Sequence, residues 1–200
     1  MLKNLLKKLQ IISSWYFIIG LVISSVVAVV ALRNNNVTAL RLRDAVTQAD
    51  KDNSDVEAAL KTLREYVYSH MNTNLASGPN AIKPPVQLKY RYDRLVAAEK
   101  ARVSASNARI YTEAQATCEK QFPEGLSGRG RVPCIQDYVT KHGEQEQPVP
   151  DALYKFDFAS PVWSPDLAGW SVLLVGLFAL ILVVRVALEY WLRYYVKNEL

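Results

Sequence analysis

Cys118 and Cys134 are the two thiols of the chain, and their pairing is the first chemistry its residue types suggest. With 15 residues between them and no third cysteine, they read as a disulfide, which needs an oxidising compartment. Closing that loop contributes about 3 kcal/mol in the chain-entropy account. A zinc site is not expected, because four ligands are required and His70 and His142 are remote from the pair and from each other. Between the cysteines, Gly125, Gly128 and Gly130 alternate with Arg129 and Arg131. Glycines beside cations can cradle phosphate only after a strand and before a helix N-terminus. Neither pattern flanks them, so the segment reads as an exposed basic loop and a contact surface. The acidic run Asp50 to Ser54 fails as a calcium loop, since the template wants Gly sixth and Glu twelfth where Asp55 and Lys61 stand. Glu144 and Glu146 lie in a proline-flanked linker, and Ser, His and Asp recur at no informative spacing. No cofactor and no enzymatic activity are expected.

What surrounds these residues is a membrane layout. Apolar runs from Ile11 to Leu32 and from Leu167 to Val184 are each long enough to cross about 30 Å of hydrocarbon as a helix. The expected fold class is an all-α membrane protein, two transmembrane helices flanking a mainly helical, antiparallel bundle-like extracytoplasmic domain. Its divisions are a basic N-terminal segment (1–10), a first span (11–32), an ectodomain (33–166), a second span (167–185) and a short amphipathic tail (186–200). Trp15, Trp163, Trp170 and Trp191 read as interface anchors, and Trp170 and Trp191 stand about 31 Å apart at helical rise. Lys and Arg are nearly balanced around the first span. Around the second, only Lys155 lies shortly before it, whereas Arg185, Arg193 and Lys197 lie within or after its end. The positive-inside rule then places both termini in the cytoplasm of a plasma membrane protein, with the central domain outside. A cleaved signal peptide ending near Val29 and Ala31 is the alternative for the first span, disfavoured by the length of the apolar stretch.

The net charge of +5 suggests nucleic acid until it is divided by region. Residues 33–166 hold 18 Lys and Arg against 17 Asp and Glu, so the surplus sits at the membrane-flanking ends, where anionic lipid accounts for it. Membrane lipid is therefore an expected partner and nucleic acid is not.

Within the ectodomain, Asn34 to Asn36 are weak helix formers and should loosen the exit from the membrane. A helix is expected from Val37 to Ala49, and a capping box of Ser54 with Glu57 should start a second, running to Met71, with Val56, Leu60, Leu63 and Val67 inward. His70 continues that stripe as a packed core residue. After a loop ending in Pro84 and Pro85, the longest soluble helix should run from Val86 to Lys120. Val96, Val103 and Ile110 mark one face, suited to the preceding hairpin. Ala98, Ala101, Ala105 and Ala108 mark the other, suited to a later segment or a second copy of the chain. A short helix over Ile135 to His142 precedes a proline-rich return strut, in which Tyr154, Phe156 and Phe158 alternate as a strand or an aromatic band.

In the spans, Gly20, Ser24 and Ala28 recur every fourth residue, and Gly169 and Gly176 mark a face of the second. Such seams let helices approach closely in lipid, within one chain or between chains. The order of span, helical ectodomain and span is similar to the input half of bacterial transmembrane receptors, in layout alone. The expected function is a structural, accessory or assembly subunit whose ectodomain binds protein, either a partner or a second copy of itself. The alternative is a sensor ectodomain signalling through a separate cytoplasmic protein. No small-molecule ligand is implied.

Overall fold

The computed structural model describes residues 13–76, 82–123 and 129–198. The expected features at Lys3, Lys7, Lys8, Ile11, Gly125 and Gly128 lie outside them. The chain is mainly helical, with α1 Ser14–Lys51, α2 Val56–Ser69, α3 Lys89–Gln121, α4 Arg131–His142 and α5 Leu167–Asn198. Two strands, β1 Val86–Gln87 and β2 Lys155–Phe156, pair in a minimal sheet. Contacts divide the chain into two compact units. The first holds the chain up to Ala49, Asp55–Val86 and Asp157 onward, and the second holds Asp50–Ser54 and Gln87–Phe156.

In the first unit, α1 and α5 are both long and apolar enough to cross a membrane. Their apolar stretches are little buried within the chain, and Val22, Val26, Val29 and Val30 of α1 are exposed, as are Leu173, Leu177, Leu180 and Val183 of α5. Water-soluble monomers do not leave contiguous apolar surface of this extent uncovered. The three asparagines do not loosen α1, contrary to expectation: the helix passes through Asn34 to Asn36 without a break. Asparagine disfavours helices because its side chain competes for nearby backbone groups. Here the Asn35 amide donates to the Met71 carbonyl, and the Asn36 side-chain oxygen accepts from the Asn74 N–H. These bonds reach another segment instead of the local backbone.

Beyond its apolar stretch, α1 continues to Lys51 and is followed after a short turn by α2. Val56, Leu60, Leu63 and Val67 of α2 are buried, as are Ala39 and Val46 of α1. The α2 cap differs by one residue from the expected capping box. Asp55, not Ser54, stands at the N-cap, and its carboxylate accepts from the Ala58 N–H, the third helical amide, at 2.9 Å. Asn53 and Asn72 adopt φ of 51° and 60°, the left-handed conformation that asparagine tolerates best after glycine, and they turn the chain out of α1 and α2. His70 is half-buried rather than a core residue, stacked on the Tyr66 ring at 4.0 Å. Leu63 has no exposed surface, so Leu63→Ala is expected to cost about 3 kcal/mol through lost burial and the cavity left behind. Denaturant melting in detergent checks this, and a cost below 1 kcal/mol would mean that α1 and α2 do not share this core.

In the second unit, α3 begins later than expected. Val86 and Gln87 are extended as β1, and the Leu88 N–H donates to the Tyr154 carbonyl at 2.8 Å. Helix α3 has a buried face. Val103, Ala114 and Cys118 are buried on it, and the neighbour that α3 packs on is α4. The reason is covalent as well as apolar, since Cys118 and Cys134 are bonded and their Cα atoms lie 5.9 Å apart. Helix α4 starts at Arg131, before the expected Ile135, because Pro133 falls in its first turn, where the missing N–H costs no hydrogen bond. Gly130 precedes it with no room for a side chain, as a Cβ there would stand 2.8 Å from the Phe122 ring. The aromatic alternation resolves into a short strand and two separate contacts. Tyr154 packs on Tyr92 in the second unit, and Phe158 meets the edge of Tyr68 in the first.

Candidate functional site

The densest arrangement of polar groups in the first unit lies at the start of α5. Asp166 precedes Leu167 as an N-cap, its carboxylate accepting from the Gly169 N–H at 2.9 Å and its carbonyl from the Trp170 N–H at 3.1 Å. The same carboxylate accepts from the Ser164 hydroxyl at 2.8 Å and from the Asn35 amide of α1 at 2.7 Å. Ser164 in turn accepts from the Met71 N–H, and the Asn72 amide donates to the Leu32 carbonyl. Arg43, two turns further along α1, donates to the Leu75 carbonyl. A single carboxylate thus bolts α1, the segment after α2 and α5 together, with Asn35 and Ser164 both buried. Burial alone would raise the Asp166 carboxyl, but the bonds from Gly169, Asn35 and Ser164, with His70 nearby, hold it below its ordinary value.

From this bolt the two apolar helices pack antiparallel. Asn35 meets Asp166, a Cβ on Gly20 would stand 2.8 Å from the Phe178 ring, and the Arg185 guanidinium lies 5.9 Å from the Phe17 ring centre. Ser24 and Ala28, with Ala31, are buried along the same stripe, and the Ser24 hydroxyl bonds back to the Leu21 carbonyl. Gly20 of the stripe therefore faces Phe178 of α5. Of the second pair, Gly169 is buried, where a Cβ would come within 1.8 Å of the Ser164 carbonyl oxygen. Gly176 has open space around it. Trp15, Trp163, Trp170 and Trp191 are all exposed, and Trp163 and Trp170 meet edge to face with centroids 5.9 Å apart.

In the second unit, Ala98, Ala101, Ala105 and Ala108 are exposed along α3. Arg129 is exposed, and Arg131 pairs with Glu119 at 3.2 Å. Two features there are not marked as sites by the sequence pattern. Asp50, read above only as part of a run that fails as a calcium loop, is buried and accepts from the Tyr90 and Arg91 N–H groups at 2.9 and 2.7 Å. Arg94 donates to it at 2.8 Å. The strut from Glu144 to Gln147 is strapped to α3 by side chains. Glu99 and Glu144 share Arg102, Ser106 donates to Glu144, and the Asn107 side chain pairs with both backbone groups of Glu144. The Gln147 N–H donates to Glu99 at 3.0 Å. Asp166 had a legible signal, an acidic N-cap before an apolar run. Asp50 and Glu144 had none, because their partners lie about 40 residues away in sequence.

The strap also speaks against carboxylate chemistry. The Arg102 bonds, then the Gln147 N–H, hold Glu99 down at about 2, and the Ser106 hydroxyl followed by Arg102 lowers Glu144. Carboxyls so far below neutrality are poor general acids or bases. The sign of the pH dependence follows. A depressed carboxyl contributes above its unfolded value of 4.5, and its contribution is lost as pH falls toward 2. The groups are solvent-exposed, so salt also screens them. Hydrogen exchange over 143–149 is therefore expected to hold steady from pH 7 to 5, after correction for intrinsic rates, and to rise below 4.5 or in 1 M salt, whose screening length is about 3 Å. Protection unchanged at pH 2.5 would rule the ionic strap out. Among the described residues, no group of three or more His, Cys, Asp or Glu is placed to hold a metal ion. No family model matches the chain, and no curated protein or solved structure is similar to it.

Proposed function

We propose that this chain is a non-enzymatic integral membrane protein of accessory or assembly type, with a helical ectodomain that binds another protein. The observation that carries this reading is the bolted helix pair. Two apolar helices exposing most of their side chains are held antiparallel by a polar bolt at one end and a small-residue seam along their length. An antiparallel pair crossing a bilayer leaves both chain ends on one side. The excess of Lys and Arg beyond the second apolar run makes that side the cytoplasm. The disulfide supports an oxidising, extracytoplasmic location for residues 33–166. On that outer part, the exposed alanine face of α3 is the surface offered to a partner helix, since small side chains permit close approach.

Ala101→Cys and Ala108→Cys, each the only free thiol outside, test the proposal in native membranes with a bifunctional maleimide. An adduct with a different protein supports the accessory role, and adducts of the chain with itself alone make it a homo-oligomer. No adduct at either position removes the interaction face. Labelling of either thiol by an impermeant maleimide only from the cytosolic side would remove the topology. The sensor reading is favoured by one observation, the unbroken run of α1 from the apolar stretch to Lys51.

A further inference from the structure

We propose that α5 carries a binding site for one anionic membrane phospholipid, with an acyl chain in an apolar hollow and the phosphate on the helix turn that follows. Leu182, Val183, Val186, Ala187 and Tyr190 line a hollow of about 530 Å³ on α5. Their spacing in steps of one, three and four residues puts them on one helix face. Val183, Val186 and Tyr190 are exposed, so the described residues leave the hollow open. The next turn of that face carries Arg193 and Tyr194, three and four residues beyond Tyr190, and both are exposed. Glu189 accepts from one terminal nitrogen of Arg193, and a guanidinium has further N–H donors for an anion.

What fits the hollow follows from the order of groups along the helix. From Leu182 to Arg193 the face passes from apolar side chains to a phenol hydroxyl and then to a guanidinium, over about 17 Å at helical rise. A phospholipid aligned with the helix presents its groups in the matching order, hydrocarbon, then ester, then phosphate. The hollow ends at Tyr190, next to the interface anchor Trp191, which is the depth at which hydrocarbon gives way to headgroups. A partner helix packed along this face would instead meet the ion pair of Arg193 with Glu189. Charge selects among the lipids. From Arg185 onward, Arg185, Arg193 and Lys197 outnumber Glu189 and Glu199, which favours an anionic headgroup over a zwitterionic one. The inference rests on the proposed membrane crossing of α5.

The test reads the fluorescence of Trp191, one turn beyond Ala187, in the full chain carrying Trp15→Phe, Trp163→Phe and Trp170→Phe. The chain is placed in phosphatidylcholine nanodiscs, and bromine on a lipid's acyl chains quenches an indole that they touch. Brominated phosphatidylglycerol at a low mole fraction is expected to quench Trp191 severalfold more than brominated phosphatidylcholine at the same fraction. Arg193→Gln, which removes the charge, and Ala187→Leu, which fills the hollow, should each bring the two lipids level. Equal quenching by the two lipids before either substitution overturns the site. So does a preference that survives Arg193→Gln. A preference lost in Arg193→Gln but kept in Ala187→Leu reduces the contact to surface charge and overturns the hollow. Nanodiscs made wholly of brominated phosphatidylcholine quench Trp191 whatever the headgroup preference, provided α5 is in the bilayer. Absence of quenching there defeats the membrane reading itself, and the site with it.

Discussion

Asp166→Ala is expected to loosen the start of α5 from α1 and to cost about 3 kcal/mol. The sum includes a lost N-cap and charge-assisted bonds to two buried partners, Asn35 and Ser164. Asn35 would keep only its bond to the Met71 carbonyl, at 3.2 Å. Asp166→Asn preserves one acceptor for the cap and should cost roughly a third as much. The readout is local, because Trp163 and Trp170 meet edge to face beside the bolt. Their emission should shift to the red and melt earlier in detergent for the alanine variant. If Asp166→Ala melts with the wild type, the bolt is a decoration and not the fastening of the pair.

Removing the disulfide should act on the other unit. Cys118→Ser with Cys134→Ser is expected to cost about 3 kcal/mol, by releasing a closure over 16 residues and loosening α4 from α3. All four tryptophans belong to the first unit, so their fluorescence melt should not move. Hydrogen exchange over 89–142 should rise instead. The two experiments therefore report on the two units separately, and a Trp melt that shifts with the double serine variant would contradict that division. Loss of protection confined to α4, with α3 unchanged, would show that α3 does not depend on the packed partner.

How much of this was legible follows from the range of each interaction. The stripe of Val56, Leu60, Leu63 and Val67 is a local period, and the structure buries those four residues. The cysteine pairing was legible by elimination, as the chain holds two thiols. The two apolar helices were legible by length and composition. Helix ends were less so. Val86 was read into α3 because its apolar character suits a helix as well as a strand, and pairing with β2 decided for the strand.

The amino-acid order alone determined two long apolar helices, a separate helical region between them, and which face of α2 turns inward. Each follows from hydropathy and period, which act over a few residues. Tertiary structure decided that the asparagines do not interrupt α1, and that Gly20 is met by Phe178 of the same chain. It also decided that α3 packs on α4, and that Asp50 caps a helix about 40 residues away. Polar side chains are ambiguous in sequence because the same amide or carboxylate can compete with its own helix or fasten a distant one. Only the position of the partner, set by the fold, selects between them.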